Sequence, residues 1–270
     1  MRPARDLTIL LTGTNSGIGR TAARRLAARG TRLILHARTE EKARATRDAV
    51  AAETGNDRLE IAAADLAVRG EILRMTAAIR GRHDHLDVLI NNAGLPGGVP
   101  HTWTVNVLAP FLIAHELRPL LAAAPGEARI LNVASVAQAS IDLDRLPDGP
   151  WAEGPSSYAR SKLALVMLSF EMAQRWADDG IDVIALHPGT LLDTRMVREK
   201  YGTPMGPADE GGEVLEYLAL SDELDGVTGE YYKQRRRARA DAQAYDDQAR
   251  ARLWEITARM AGVVEERIAR

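Results

Sequence analysis

Tyr158 and Lys162 stand four residues apart, a spacing that places both side chains on one face of a helix. An ammonium close to a phenol favours the phenolate, so Lys162 is expected to lower the pKa of Tyr158 from its ordinary value of about 10. Such a phenol can protonate a carbonyl oxygen or deprotonate an alcohol near neutral pH. Many helices carry a solvated tyrosine–lysine pair at this spacing, so the surrounding sequence has to decide between the two interpretations.

Polar residues come directly after two of the predicted strands, before Tyr158 in the chain. Ser135 comes just after one strand, residues 91–94 (Asn-Asn-Ala-Gly) close another, and Asn106 lies in the helix after that. The carboxyl ends of parallel strands form the ligand-binding edge of an open α/β sheet. Separately, these residues could be a turn serine, a capping pair and a core amide. Their arrangement at one edge favours a catalytic site.

A glycine-rich turn separates the first predicted strand from the first predicted helix. Its glycines, Gly13, Gly17 and Gly19, have the spacing G-x-x-x-G-x-G. Gly13 permits the tight turn, Gly17 lets the backbone approach a pyrophosphate, and Gly19 allows close packing of helix on strand. The amides at the helix start would then face the phosphates. An ordinary glycine-rich turn is the alternative, but the position after strand one favours a dinucleotide.

The end of the second predicted strand bears on the choice of dinucleotide. A fold that selects NAD usually places an acid here for the ribose hydroxyls, and none occurs before Glu40. Arg38 instead offers a guanidinium suited to a 2′-phosphate, although it could be one of many solvated arginines. We therefore expect NADP(H), with NAD(H) as the alternative. Asp65, after the third strand, could accept a hydrogen bond from the adenine amine or simply cap a turn.

Short apolar runs alternate with helical patterns along the first 232 residues. The predicted strands are residues 7–11, 33–35, 59–63, 88–90, 130–133, 182–186 and 229–232. The predicted helices are residues 18–30, 40–54, 69–81, 104–124, 158–178 and 210–220, with Pro110 and Pro119 kinking or dividing the fourth. This alternation predicts an α/β Rossmann fold, a three-layer sandwich around a doubly wound parallel sheet of about seven strands. We expect one domain over residues 1–232 and a charged extension over residues 233–270, helical from 239 to 261.

Composition bounds the possible functions. The chain has 270 residues, 46% of them hydrophobic, and a net charge of −2, so no overall field draws it to nucleic acid or anionic membranes. Cysteine is absent, which excludes disulfides, thiolate metal sites and cysteine nucleophiles. No run approaches about 18 uninterrupted apolar residues and no targeting segment is visible. We expect no metal site, no membrane span, no nucleic-acid partner and a cytoplasmic location.

Over residues 7–232 the sequence resembles the classical short-chain dehydrogenase/reductase family, and its motifs recur in the family order. The matching positions are residues 12–19, Asp65, residues 91–94, Asn106, Ser135, Tyr158, Lys162, Pro188 and Gly189. Finer marks are similar to the retinol dehydrogenase-like branch: residues 14–17, 141–144, 161–164, 186–189 and 252–255.

The resemblance implies a catalytic tetrad. Tyr158 is then the acid/base, and Lys162 holds the nicotinamide ribose and tunes Tyr158. Ser135 binds the substrate oxygen, and Asn106 supports a water beside Lys162 that relays protons. The residues expected to bind the cofactor are Gly13, Asn15, Ser16, Gly17, Ile18, Gly19, Arg38, Asp65, Leu66, Asn92, Ala93, Gly94, Tyr158, Lys162, Pro188, Gly189, Thr190 and Thr194.

The chain departs from the family pattern in two places. The step from Gly189 to Thr194 is one residue longer than usual, so Thr190 competes with Thr194 for the same contact. Only 11 residues separate Gly94 from Asn106, fewer than the family usually has. The missing piece normally borders the substrate mouth and the subunit contact. We therefore expect an unusual substrate entrance or subunit interface.

The function implied is an NADP(H)-dependent oxidoreductase that interconverts a carbonyl and an alcohol. The alternative is a catalytically silent NADP(H)-binding sensor or scaffold, but such proteins usually lose the tyrosine or the lysine. We expect an apolar small-molecule substrate, because the candidate pocket residues are mostly apolar: Val136, Gln138, Ile141, Trp151, Leu191, Met196, Tyr201 and Met205. We also expect a homodimer or homotetramer, built from the helices at 104–124 and 158–178.

Overall fold

One sheet of eight strands runs through the centre of the computed structural model, which describes residues 2–98, 101–146 and 156–263. The strands are β1 (Thr8–Leu11), β2 (Arg32–Ala37), β3 (Leu59–Ala63), β4 (Val88–Asn91), β5 (Ala128–Val133), β6 (Ile181–His187), β7 (Glu230–Lys233) and β8 (Arg236–Ala238). Their order is β3-β2-β1-β4-β5-β6-β7-β8. Every neighbouring pair is parallel except β7 with β8. The predicted doubly wound α/β fold is confirmed, with one strand more than expected.

Helices cover both faces of the sheet. They are α1 (Gly17–Ala28), α2 (Glu40–Thr54), α3 (Arg69–Arg80), α4 (Ala109–Ala122), α5 (Ser157–Arg175), α6 (Arg195–Tyr201), α7 (Ala208–Leu220) and α8 (Asp247–Ala261). Side chains alternate across each strand, so Ile9 and Leu11 pack with α1 and α7 while Leu10 packs with α3 and α4. Both faces of the strand are buried, which explains its unbroken apolar sequence.

The helix predicted over residues 104–124 is divided in the structure. A π-helical turn (Thr104–Leu108) precedes α4, and Pro110 lies in the first turn of α4, where a missing amide costs little. Pro119 lies inside α4. The wider turn holds Asn106 at the end of the sheet that faces the predicted site. Such local π-helical turns are frequent at functional sites.

The C-terminal extension differs most from prediction. Strands β7 and β8 form a hairpin over residues 230–238 that was not expected, with Gln234 at φ 56° in the turn. The helix expected from residue 239 begins at Asp247, because Asp246 caps it by accepting a hydrogen bond from Ala249 N. Residues 264–270 of the extension lie outside the described part of the chain.

The α8 helix lies across α4 and α5. Its Trp254 is buried against Phe111 of α4, with ring centroids 4.8 Å apart, and against Trp176 at the end of α5. Phe170 of α5 contacts the ring of Tyr245 at 5.5 Å. The extension therefore covers a face that the rest of the chain would leave open.

One helical stretch among the described residues, Thr104–Ala122, is long and apolar enough to cross a membrane, with a mean hydropathy of 1.2. Two thirds of it is buried inside the fold, the burial of a core helix. Length and composition alone do not distinguish a membrane-spanning helix from a core helix. The burial of Thr104–Ala122 is therefore the observation that bears on the expectation of no membrane span.

Candidate active site

The site lies where the strand order reverses, between β1 and β4. Gly13 and Gly17 have φ angles of 73° and 54°, a left-handed conformation that glycine adopts without strain. A Cβ added at Gly19 would collide with the carbonyl oxygen of Gly13. The turn therefore requires glycine at all three positions. The first amides of α1 have no partner within the helix and are available to the pyrophosphate of a dinucleotide.

The end of β4 is tied to this turn. Thr12 Oγ1 accepts hydrogen bonds from the amides of Asn92 and Ala93, at 2.9 and 3.0 Å. Asn92 Nδ2 donates to the carbonyl oxygen of Thr12 at 2.8 Å. A Cβ on Gly13 would lie 2.9 Å from Ala93 Cα, so the two segments touch directly. The structure thus brings the predicted residues 92–94 against the glycine turn.

Thr194 and Thr190 occupy different environments. The methyl group of Thr194 would lie 3.0 Å from a Cβ on Gly17, and its hydroxyl caps α6 by accepting from Val197 N. Thr190 Oγ1 lies 3.1 Å from His187 Nε2. Of the two candidates, Thr194 is the one that the structure brings to the glycine turn. Pro188 and Gly189, just after β6, lie at the same edge of the sheet.

Arg38 follows β2 with 60% of its side chain exposed, and its Nε lies 3.7 Å from Asp65 Oδ2. Asp65 also accepts from Ala67 N at 2.9 Å, which is the turn-capping role considered as its alternative. Leu66 is buried beside it, whereas Asn15 and Ser16 are exposed at the glycine turn. Arg38 is therefore exposed at this edge while its guanidinium is paired with Asp65.

Sequence analysis missed His36. Its Nδ1 accepts from Gly13 N at 3.2 Å and its Nε2 lies 3.1 Å from the carbonyl oxygen of Ala64. Burial lowers the pKa of His36 to about 4, so the ring is neutral. An accepting Nδ1 leaves the proton on Nε2, where it donates to Ala64. The ring holds the turn in place, and only its position at the end of β2 signalled such a role.

The four predicted catalytic residues converge on the end of β5. Tyr158 and Ser135 are hydrogen-bonded through their side chains. Lys162 Nζ lies 5.7 Å from the centre of the Tyr158 ring and donates to the carbonyl oxygen of Val133 at 2.7 Å. A Cβ on Gly94 would lie 3.5 Å from Lys162 Nζ. The pair at i and i+4 on α5 is therefore not solvated.

Asn106 joins this group through the segment after β4. Its Oδ1 accepts from Leu95 N at 2.7 Å, and its Nδ2 donates to Leu95 O and to Ser161 Oγ, both at 3.0 Å. The same oxygen lies 3.3 Å from the position of a Cβ on Gly94. Despite the shortened segment before it, Asn106 lies next to the residues that approach Lys162.

Comparison with known proteins identifies the family. The model of the short chain dehydrogenase family matches residues 7–204. The chain belongs to this family. It is 32% identical to "Dehydrogenase/reductase SDR family member 13" of Homo sapiens, covering 96% of this chain and 74% of the relative. It is also 32% identical to "Retinol dehydrogenase 13" of Homo sapiens, covering 95% of this chain and 85% of the relative. These relatives confirm the predicted retinol dehydrogenase-like branch.

A solved structure described as "Pseudomonas aeruginosa RhlG/NADP active-site complex" has the same fold. It is 26% identical, with a TM-score of 0.71, covering 86% of this chain and 97% of that one. As a member of the family, the chain is an NAD(P)-dependent oxidoreductase.

The pKa values in this dehydrogenase differ from the expectation for Tyr158. Burial raises the pKa of the Tyr158 phenol, and only the hydrogen bond from Ser135 acts to lower it. Burial also lowers the pKa of Lys162 to about 8, and its amine is directed at the carbonyl oxygen of Val133. Lys162 is not among the groups that lower the pKa of Tyr158, so the lowering expected from Lys162 is not found. At neutral pH Tyr158 carries a proton that it can donate.

Three of the apolar pocket candidates, Val136, Tyr201 and Met205, are exposed, and Met205 is 75% exposed. Lys200 Nζ lies 5.8 Å from the centre of the Tyr158 ring and covers it from α6. Ile141, expected in the pocket, is instead buried in the core beneath α8. Trp151, another candidate, lies outside the described residues.

Proposed function

We propose that this dehydrogenase uses NADP(H) to interconvert a carbonyl and an alcohol, with Tyr158 as the acid/base. The observation that carries the proposal is the hydrogen-bonded pair of Tyr158 and Ser135 beside the glycine turn, at the edge where open sheets bind ligands. The buried amine of Lys162 and the amide of Asn106 complete the group. A silent binding protein would need Lys162 for the cofactor ribose, but it would not need the pair of Tyr158 and Ser135.

Each residue has a distinct task. Ser135 and Tyr158 donate hydrogen bonds to the substrate oxygen, and Tyr158 transfers its proton to that oxygen as the carbonyl is reduced. In the reverse direction Tyr158 takes the proton from the alcohol. When bound, the nicotinamide cofactor supplies or accepts the hydride. Lys162, whose Nζ lies 5.7 Å from the centre of the Tyr158 ring, would hold the nicotinamide ribose.

The test of this function is a panel of carbonyl compounds assayed by NADPH absorbance, with NADH in parallel. We expect turnover with at least one apolar carbonyl, because the pocket candidates Val136, Tyr201 and Met205 are exposed apolar side chains. Binding of NADPH without turnover on any carbonyl would support the sensor or scaffold instead. The burial of Thr104–Ala122 supports a core helix, and with it our proposal of a cytoplasmic enzyme.

The cofactor preference gives a separate prediction. Arg38→Ala removes the guanidinium at the end of β2, and we expect NADPH affinity to fall roughly tenfold or more, the value of a charge-assisted hydrogen bond. NADH affinity should stay unchanged, because NADH has no 2′-phosphate. Titration of both cofactors by fluorescence measures this. Arg38→Lys is the matched control. Its NADPH affinity should lie between those of the wild type and Arg38→Ala, since lysine keeps the charge but lacks the planar guanidinium group. Equal affinities in the wild type would contradict the preference.

The helices expected to form the subunit contact are largely covered within one chain. The apolar residues of α5 are buried in the fold: Leu163, Leu165, Val166, Met167, Leu168 and Phe170. The extension covers α4 and α5 through α8, so a homodimer or homotetramer would have to use another face. Light scattering at micromolar concentration decides this. Twice or four times the chain mass agrees with the proposed oligomer, and 29.4 kDa contradicts it.

A further inference from the structure

The carbonyl oxygen of Ser135 receives two side-chain hydrogen bonds. Tyr231 Oη donates from β7 at 3.0 Å, and Gln138 Nε2 donates from three residues along the chain at 2.9 Å. Tyr231 is 2% exposed, and burial raises its pKa to about 12, so its hydroxyl remains a donor throughout the neutral range. Two donors on one carbonyl fix the plane of the peptide bond that follows Ser135.

The side chain of Ser135 is oriented as well. Its Oγ accepts from Ala137 N at 3.1 Å. A hydroxyl that accepts from one side has its hydrogen free to donate elsewhere, here to Tyr158 or to a substrate oxygen. The direction of this hydrogen therefore depends on the turn that Tyr231 and Gln138 hold.

The C-terminal extension reaches the same turn at two points. The amide of Asp241 donates to Gln138 Oε1 at 2.8 Å, so the extension holds the far end of the Gln138 side chain. Gln243 pairs with the backbone of Ile141: its Nε2 donates to Ile141 O at 2.9 Å, and its Oε1 accepts from Ile141 N at 2.8 Å. Residues 135–141 thus lie between β7 on one side and the extension on the other.

We propose that Tyr231 and Gln138 are positioning residues for Ser135, holding its backbone so that its hydroxyl faces Tyr158 and the substrate oxygen. The extension, through Asp241, keeps Gln138 in place. The proposal rests on the proposed function, in which Ser135 binds the substrate oxygen. A small displacement of such a group is costly, because a shift of about 1 Å can reduce turnover on the order of a hundredfold.

The test compares Tyr231→Phe and Gln138→Met with Tyr232→Phe, the neighbouring tyrosine on β7. Tyr232 packs in the opposite layer of the core, so its variant removes a hydroxyl away from Ser135. We expect kcat to fall roughly tenfold to a hundredfold in the first two variants, with NADPH affinity unchanged and Tyr232→Phe near the wild type. Thermal melts identify any variant that fails to fold. Tyr231→Phe and Gln138→Met each remove one donor to the carbonyl oxygen of Ser135.

The pH profile separates positioning from general stability. The hydrogen bond from Ser135 lowers the pKa of Tyr158. Loss of this hydrogen bond should therefore raise that pKa and move the alkaline limb of the pH–rate profile to higher pH. Within the part of the chain that the structure describes, the other titratable groups near Tyr158 are Lys162, Lys200, Tyr201 and Tyr231. Gln138→Met leaves all of these in place. A shift of the alkaline limb to higher pH in Gln138→Met supports the proposal. An unchanged pH–rate profile with reduced kcat argues against it.

A double-mutant cycle completes the test. If Tyr231 acts through Ser135, Tyr231→Phe should have no further effect on kcat in a Ser135→Ala background. Additive losses would overturn the inference while leaving the proposed function intact. Full turnover in Ser135→Ala would overturn the inference together with the role proposed for Ser135, because Ser135 would then have no task for Tyr231 to support, while the turnover itself would still support the proposed oxidoreductase.

Discussion

Tyr158→Phe should retain the affinity of the wild type for NADPH and lose most of its turnover. The variant removes one oxygen atom from a half-buried side chain and leaves the ring in place against Lys162 and Lys200. Proton transfer by a positioned acid is worth roughly 10²–10⁴-fold in rate, and we expect kcat to fall within that range. The glycine turn is built from β1, α1 and the end of β4, so its hold on the cofactor should not change.

The measurement is kcat on the best carbonyl of the panel, together with NADPH affinity from fluorescence. Ser135→Ala is the companion variant: it removes a hydrogen bond to the substrate oxygen but keeps the proton donor, so its loss should be smaller. Turnover in Tyr158→Phe close to that of the wild type would mean that the proton comes from another group. The mechanism would then fail even though the family assignment stands.

The glycine turn and the strand pattern were predictable because each depends on short-range rules. Gly13, Gly17 and Gly19 are required by backbone angles and by a close approach that a Cβ would prevent, and such positions tolerate no substitute. Strands buried on both faces must be continuously apolar, as β1 is. The convergence of Ser135 and Tyr158 followed from a general property of open α/β sheets, whose strand ends gather at one edge.

What the sequence did not predict depends on contacts between distant segments. Asn106 lies in a π-helical turn, and no local signal distinguishes such a turn from an α-helix with a following proline. The support of Gly13 by His36 joins residues 23 apart, and the contact of Tyr231 with Ser135 joins residues 96 apart. Spacing along the chain carries no information about such pairs.

The C-terminal extension shows most clearly that contacts between distant segments determine structure that the sequence does not predict. Its charged sequence predicted one surface helix, because strand β8 (Arg236–Ala238) is only three residues long and consists mostly of arginine. Nothing local in those residues favours a strand; pairing with β7 does. The same tertiary packing bears on the assembly. The sequence predicts a subunit contact at the helices 104–124 and 158–178, whereas Trp254 and the rest of α8 cover that region within one chain.

Lys162 provides a prediction in which stability and function move in opposite directions. Its pKa falls from 10.5 to about 8 because the amine is buried. Below pH 8 the folded protein must carry a desolvated ammonium, at a cost of about 3 kcal/mol. Lys162→Met keeps the length of the side chain and removes this cost. It also removes the hydrogen bond to Val133 O, worth about 1 kcal/mol, so the variant should be more stable at pH 7 by about 2 kcal/mol.

The pH dependence identifies the cause of that gain. Between pH 8 and 10.5 the unfolded wild type binds the Lys162 proton and the folded protein does not, so the free energy of unfolding of the wild type rises with pH across this window. Lys162→Met lacks this dependence, and its advantage in stability should therefore shrink as pH rises from 8 to 10.5.

Lys42→Met, at an exposed site on α2, is the control for losing a lysine as such. Denaturant unfolding of all three proteins at several pH values measures the effect, and turnover should be lost in Lys162→Met alone. A variant less stable than the wild type at pH 7, or a difference that does not change with pH, would contradict a buried ammonium. The combined outcome of greater stability and lost turnover would mean that the enzyme maintains a destabilising charge behind Tyr158 because catalysis requires it there.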